Sequence, residues 1–186
     1  MTALMNPLVA RGGAIQIHGP VVTELSSRGQ SVEDLRDLLE GRNWGLRGFH
    51  FDGDRVLRHG LVSGPVFGGN LTLFAALAGT PFSVSMEGKV LFLEEVREPP
   101  YRFDRLLTQL RSSGIFDGVK ALISGDLHDC EAGAKEEWRR LLLEVAPAGV
   151  PVVCGLPFGH GKENVAFPIG APVEVNTQVG HLLWRD

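Results

Sequence analysis

An α/β fold with antiparallel additions is predicted by three features of the sequence. Short apolar runs alternate with amphipathic stretches throughout the second half of the chain, the pattern of strands joined by helices. Glycine makes up 24 of the 186 residues, so tight turns must come often. A hydrophobic content of 44% is enough for one ordinary core.

Taken in order, residues 2 to 11 read as a helix, and "AIQIHGP" as a short strand entering a turn at Gly19 and Pro20. "SVEDLRDLLEG" has the marks of a helix. Ser31 can cap it, Leu35, Leu38 and Leu39 share a face, and Gly41 can end it. "GLRGFHFDGDRVLRHG" alternates around an Asp-Gly pair, which predicts a β-hairpin from about 45 to 59. "NLTLFAALAG" reads as a helix capped by Asn70 and stopped by Gly79. "KVLFLEEV" is a strand ending in carboxylates. The "PP" behind it suits a helix start, and "YRFDRLLTQLRSSG" sets Phe103, Leu106, Leu107 and Leu110 on one stripe. "VKALISG" and "VPVVCGL" are strands flanking the helix "AKEEWRRLLLEVA", and the tail from Ala166 to Trp184 holds one or two more.

A net charge of -4 without a Lys/Arg-rich stretch argues against nucleic acid or an anionic membrane as the main partner, and favours small molecules or peptides. The amino terminus lacks the pattern of a signal peptide and no window is apolar enough to span a bilayer, so a cytoplasmic address is the expectation. Cys130 and Cys154 make neither a disulfide framework nor a CxxC pair and read as buried thiols.

In α/β sheets, reactive side chains gather beyond the carboxyl ends of strands. Glu94 and Glu95 close the strand beginning at Lys89, and His160 follows the strand ending near Leu156, inside "GLPFGHGKENVAFPIG". A histidine in such a glycine-rich loop can be presented at a pocket mouth with a carboxylate orienting its ring. A turn histidine beside two solvated glutamates fits the same spacing. His18 in "IHGP" has the same two readings, active-site group or turn residue. "GLPFGHGKE" fails as a phosphate loop, because Leu156 and Glu163 stand where glycine and Ser/Thr are needed. "GDLHDCE" crowds metal-ligand types onto one turn, where adjacent ligands rarely converge on one ion, so no metal is expected. "VSGPVFGGN" reads as backbone passing close to a ligand or another strand.

Three stretches taken together, "GGNLTLFAALAGTPF", "GKVLFLEEVREPPYRFDRLLTQLRSSGIFDGVKALISGDLHDC" and "GLPFGHGKENVAFPIG", resemble the carboxyl-terminal domain of the LD-carboxypeptidases, the murein tetrapeptide carboxypeptidase family. "TALMNPLVARGGAIQIHGP" resembles the last helix and strand of that family's amino-terminal domain. The resemblance implies a swivelling β/β/α-type domain over residues 46–186, a linker with a short helix over 21–45, and over 1–20 a remnant of a Rossmann-like α/β domain that would expose Leu4, Leu8 and Ile15. It also implies a serine peptidase with a Ser-His-Glu triad that needs neither cofactor nor metal. Its substrate would be a muropeptide or another peptide ending in a D-amino acid, and relatives commonly form homodimers. His160 takes the place of the family's histidine, Glu94 that of its glutamate with Glu95 as the neighbouring alternative, and Asn70 is a further ligand-contact candidate that also suits a plain helix cap.

The family's serine sits in a Gly-x-Ser-Asp turn that this alignment places about two residues before Met1, so these 186 residues are expected to be inactive alone. None of Ser63, Ser83, Ser85 and Ser124 lies in a sharp strand-to-helix elbow. Two alternatives stand beside this reading: a non-catalytic muropeptide-binding remnant, and a peptidase of the microcin-immunity branch acting on a peptidyl-nucleotide.

Overall fold

The computed structural model describes residues 1–26, 29–42, 48–161 and 163–184. It opens with α1 (Thr2–Ala10), β1 (Gln16–His18) and α2 (Gly29–Leu39). β2 (Gly48–His50), β3 (Val56–Arg58), β4 (Leu61–Asn70) and α3 (Leu71–Ala75) follow. The second half runs β5 (Val90–Val96), α4 (Pro100–Ser112), β6 (Ala121–His128), α5 (Ala134–Val145) and β7 (Val152–Leu156), then β8 (Phe167–Ile169), β9 (Pro172–Asn176) and β10 (His181–Trp184). Among the described residues, a curled eight-stranded sheet has the order β2-β10-β9-β4-β5-β6-β7-β3, and β1 pairs with β8 in a separate two-stranded sheet. The strands β4, β5, β6 and β7 are parallel neighbours, and a strand covered on both faces reads as a nearly continuous apolar run, as β5 does up to its two glutamates.

Two amphipathic helices cover one face of the parallel strands. α4 begins at Pro100, where a missing N–H costs nothing, and buries Phe103, Leu107 and Leu110 at helical spacing. α5 buries Trp138, Leu141, Leu142 and Val145. They meet where the Phe103 and Trp138 rings pack edge to face at 5.2 Å. The Trp138 Nε1 donates to the buried Ser124 Oγ at 2.6 Å, which satisfies both polar groups inside the core. Elsewhere Phe92, Phe158, Phe167 and Trp184 form an aromatic cluster, with Phe158 and Phe167 ring centroids 4.8 Å apart.

The hairpin expected near 45–59 does not form. Residues 43–47 lie outside the described residues, but β2 pairs with β10 and β3 pairs with β7. Alternating apolar residues suit any half-buried strand, and the Asp-Gly pair opens a 3-10 turn over Gly53–Arg55 instead of closing a two-residue loop. "LVSGPVFGGN" is itself a strand, β4, hidden in the sequence by its glycines and proline. Its first half pairs antiparallel with β9 and its second half parallel with β5. Gly68 has φ +131°, and a Cβ there would fall on the Phe92 carbonyl, so this is indeed backbone passing close to another strand.

Other boundaries differ by a turn. The α-helical part of the segment after Asn70 stops at Ala75, ahead of Gly79. α2 starts at Gly29, ahead of Ser31, and Leu39 is 69% exposed while Leu38 is buried, so the expected apolar face is narrower than its leucines suggest. The tail contains β8, β9 and β10, more strands than expected, because Gly170 and the Gly180 turn divide it into short pieces.

α1 docks on β4 through Asn6. Its Nδ2 donates to the Gly68 carbonyl at 2.8 Å and its Oδ1 accepts from the Gly68 N–H at 2.7 Å, completing the backbone pairing of β4 beyond the reach of β9. On the outer side of this region Leu4, Leu8 and Ile15 are 57%, 46% and 43% exposed.

Candidate active site

A strand alternates its side chains between two faces, so Glu94 and Glu95 at the end of β5 must point apart. Phe92 and Glu94 lie on the face of the aromatic cluster, and Glu95 lies on the α3 side. Glu95 is saturated there. It accepts from Asn70 Nδ2 at 2.6 Å, the Thr72 N–H at 2.9 Å, Thr72 Oγ1 at 2.8 Å and the Val96 N–H at 3.0 Å. This carboxylate anchors the start of α3 to β5.

Glu94 is 1% exposed, and its Oε2 lies 2.8 Å from His160 Nδ1. A buried carboxylate demands such a partner. The carboxylate only accepts, so the ring proton sits on Nδ1 and the neutral imidazole carries its lone pair at Nε2. The His160 side chain is 51% exposed, so one edge is fixed while the other faces outward.

The loop bearing His160 is shaped by its contacts. The Phe158 carbonyl accepts from the Asp126 N–H at 3.2 Å, and the Val165 N–H donates to the Pro157 carbonyl at 2.9 Å. Gly159 has φ +96°, and a Cβ there would come within 2.8 Å of Glu94 Oε2. Only glycine lets the backbone turn left-handed while lying flat on that carboxylate.

Glu94 and His160 share a cavity of about 540 Å³ with Thr2, His18, Asn70 and Asn164. Asn70 caps α3, its Oδ1 accepting from the Leu73 N–H at 3.1 Å, while its Nδ2 holds Glu95. The cap reading is therefore observed, and the residue also borders the cavity. Thr2 Oγ1 accepts from the Asn70 N–H at 3.0 Å. Among the described residues no serine lines this space. Ser124 is in the core with Trp138, and Ser83 and Ser85 line a different cavity beside α1.

His18 reaches the site from β1. Its ring stacks on Phe167 at 5.0 Å and meets Phe92 edge-on at 5.4 Å, and its Nδ1 is buried with no hydrogen-bond partner. Its pKa is pushed down to about 4, by desolvation first, then by His160 and by the Met1 ammonium.

Other candidates lie elsewhere. Among the described residues no three His, Cys, Asp or Glu side chains are grouped to hold a metal ion. In the "GDLHDCE" turn, Asp126 pairs with Lys135 at 3.3 Å and Asp129 lies near Arg97 and His128. Cys154 is buried and Cys130 half-buried, both free, and desolvation pushes both thiols up. No helix among the described residues is long and apolar enough to cross a membrane.

Residues 63–175 match the model of the LD-carboxypeptidase C-terminal domain. The chain is 35% identical over 178 residues to a Synechocystis protein named as a carboxypeptidase, covering 92% of this chain and 57% of that one. To the murein tetrapeptide carboxypeptidase of Pseudomonas aeruginosa it is 35% identical over 174 residues, or 86% of this chain and 55% of that protein. The crystal structure of muramoyltetrapeptide carboxypeptidase from Oxalobacter formigenes superposes with a TM-score of 0.82 at 28% identity, over 100% of this chain and 66% of that one. The chain thus spans 55% to 57% of the length of these two curated relatives.

Proposed function

As the chain belongs to the LD-carboxypeptidase family by the match of residues 63–175, we propose that Glu94 and His160 are the acid and the general base of a serine peptidase that removes a terminal D-alanine from muropeptide tetrapeptides. The observation that carries this reading is the 2.8 Å contact between His160 Nδ1 and the buried Glu94 carboxylate at the rim of a peptide-sized cavity. A serine hydroxyl is a weak nucleophile at neutral pH, so His160 Nε2 takes its proton as it attacks the scissile carbonyl. Glu94 holds the ring in that tautomer and stabilises the imidazolium that forms. The same proton then goes to the departing D-alanine amine, and water releases the acyl group by the reverse sequence.

In this reading the serine belongs to a segment outside the 186 residues, and residues 46–186 are the carboxyl-terminal domain that supplies the rest of the triad. Asn70, at the cavity edge, contacts the substrate in addition to capping α3.

The test is an assay of the 186-residue chain and of the native protein from its source cells, each given an L,D-tetrapeptide ending in D-alanine. The native protein is expected to have a mass well above 20.2 kDa, to contain a Ser-Asp turn and to release D-alanine, whereas the 186-residue chain releases none. Release by the short chain that is lost in His160→Ala would sink the proposal that the serine lies outside. Saturable, stereospecific binding of the tetrapeptide by a native protein of 20.2 kDa that hydrolyses nothing would instead favour a binding module.

A further inference from the structure

The half-exposed His160 side chain sits at the tip of an irregular loop, where packing alone does not fix a ring. Glu94 fixes one edge of it, and the loop must keep the ring within reach of that contact. The Gly159 N–H, directly before the histidine, donates to Asn164 Oδ1 at 3.1 Å in a buried bond. Asn164 itself is 6% exposed and borders the same cavity. This bond closes the chain on itself around His160, and the Val165 to Pro157 backbone bond at 2.9 Å closes it a second time just outside. The Gly159 backbone also lies against the Glu94 side chain. Asn164 thus holds the N–H of the residue that precedes His160 in sequence and lies against Glu94 in space.

From this arrangement we propose that Asn164 is a positioning residue, which keeps His160 Nδ1 within hydrogen-bond reach of Glu94 by fixing Gly159. Without its carboxamide the loop keeps its outer closure, but Gly159 is free to lift from Glu94 and the imidazole loses its set orientation. A buried amide N–H left without its acceptor adds a penalty that itself drives the loop outward. The proposal deepens the catalytic reading and rests on it for its meaning, but its test reads geometry alone, so either can fail without the other.

The test uses the 186-residue chain, labelled with ¹⁵N, and follows the His160 imidazole resonances together with the Gly159 amide. The wild-type ring is expected to show a proton on Nδ1 with the downfield shift of a bond to carboxylate. Asn164→Ala should lose that proton signal to exchange while its far-UV circular dichroism stays that of the wild type. Asn164→Asp, which keeps an acceptor oxygen at the same reach, should restore it. An Asn164→Ala chain that keeps the wild-type His160 signal overturns the proposal, and so does an Asn164→Asp chain that behaves as the alanine variant does. If the alanine variant does not fold, hydrogen exchange in the wild type decides. A Gly159 amide protected roughly tenfold or more against free exchange supports the clamp, and an unprotected one overturns it.

Discussion

Glu94 and Glu95 are neighbours in the chain with opposite tasks: Glu94 turns to His160 at 2.8 Å, while Glu95 turns away and gathers Asn70, Thr72 and the Val96 N–H. Strand alternation assigns the two directions, and hydrogen bonding makes each carboxylate hard to replace.

The two carboxylates should therefore separate in experiments. Glu94→Gln in the native protein is expected to lower D-alanine release by roughly 10²- to 10⁴-fold with little change in fold, the scale of a general base deprived of its orienting partner. Glu95→Ala is expected to cost about 3 kcal/mol or more of stability, because four donors lose one buried acceptor. Urea unfolding beside a kinetic assay checks both. Equal kinetic and stability effects in the two variants would contradict the assignment.

His18 gives a pH signature. Its folded pKa of about 4 lies below the ordinary 6.5, so the unfolded chain binds the extra proton over that interval. Stability from this group is fully present above pH 6.5 and falls as the pH drops towards 4, by about 3 kcal/mol in all. In an NMR titration the His18 ring is expected to stay neutral at pH 5.5, and a midpoint near 6.5 would contradict this.

Asn6 acts as a substitute for a strand. Asn6→Ala leaves the Gly68 N–H and carbonyl without partners inside the core, and is expected to cost about 2 to 4 kcal/mol. Chemical denaturation measures the loss, and amide exchange at Gly68 should rise with it.

The exposed leucines of α1 are expected to cause self-association of the 186-residue chain at high concentration. Leu4→Glu combined with Leu8→Lys should shift sedimentation towards the monomer without lowering the melting temperature, since neither side chain is buried.

Much of the fold could be read where one physical signal acted alone. Phe103, Leu107 and Leu110 repeat at helical spacing, and the "VLFLEE" run can hardly be other than a buried strand, so α4 and β5 were plain. β4 was not, because Gly68 and Pro65 lower strand propensity, and the close contact with Phe92 that requires Gly68 is revealed only by the folded sheet. The hairpin reading failed for a related reason: alternation in residues 48–58 reports a half-buried strand and says nothing about which strand it will meet. In the site, the motif marked His160 and two glutamates, and alternation required that they diverge. Asn164 and Asn6 carried no signal, as their amides serve backbone groups that are distant until the chain has folded.

β2 and β3 stand at the two ends of the eight-stranded order, yet only residues 51–55 separate them in the chain. The sheet is therefore a hoop fastened by a short clasp, with Phe49 of β2 reaching Phe158 beyond β7, their ring centroids 5.6 Å apart. A hoop cannot be zipped up from one end, because seating either outer strand drags the other into place. Asp52, Gly53 and Asp54 of the clasp are exposed, so a single cut there would open the ring without touching the apolar interior.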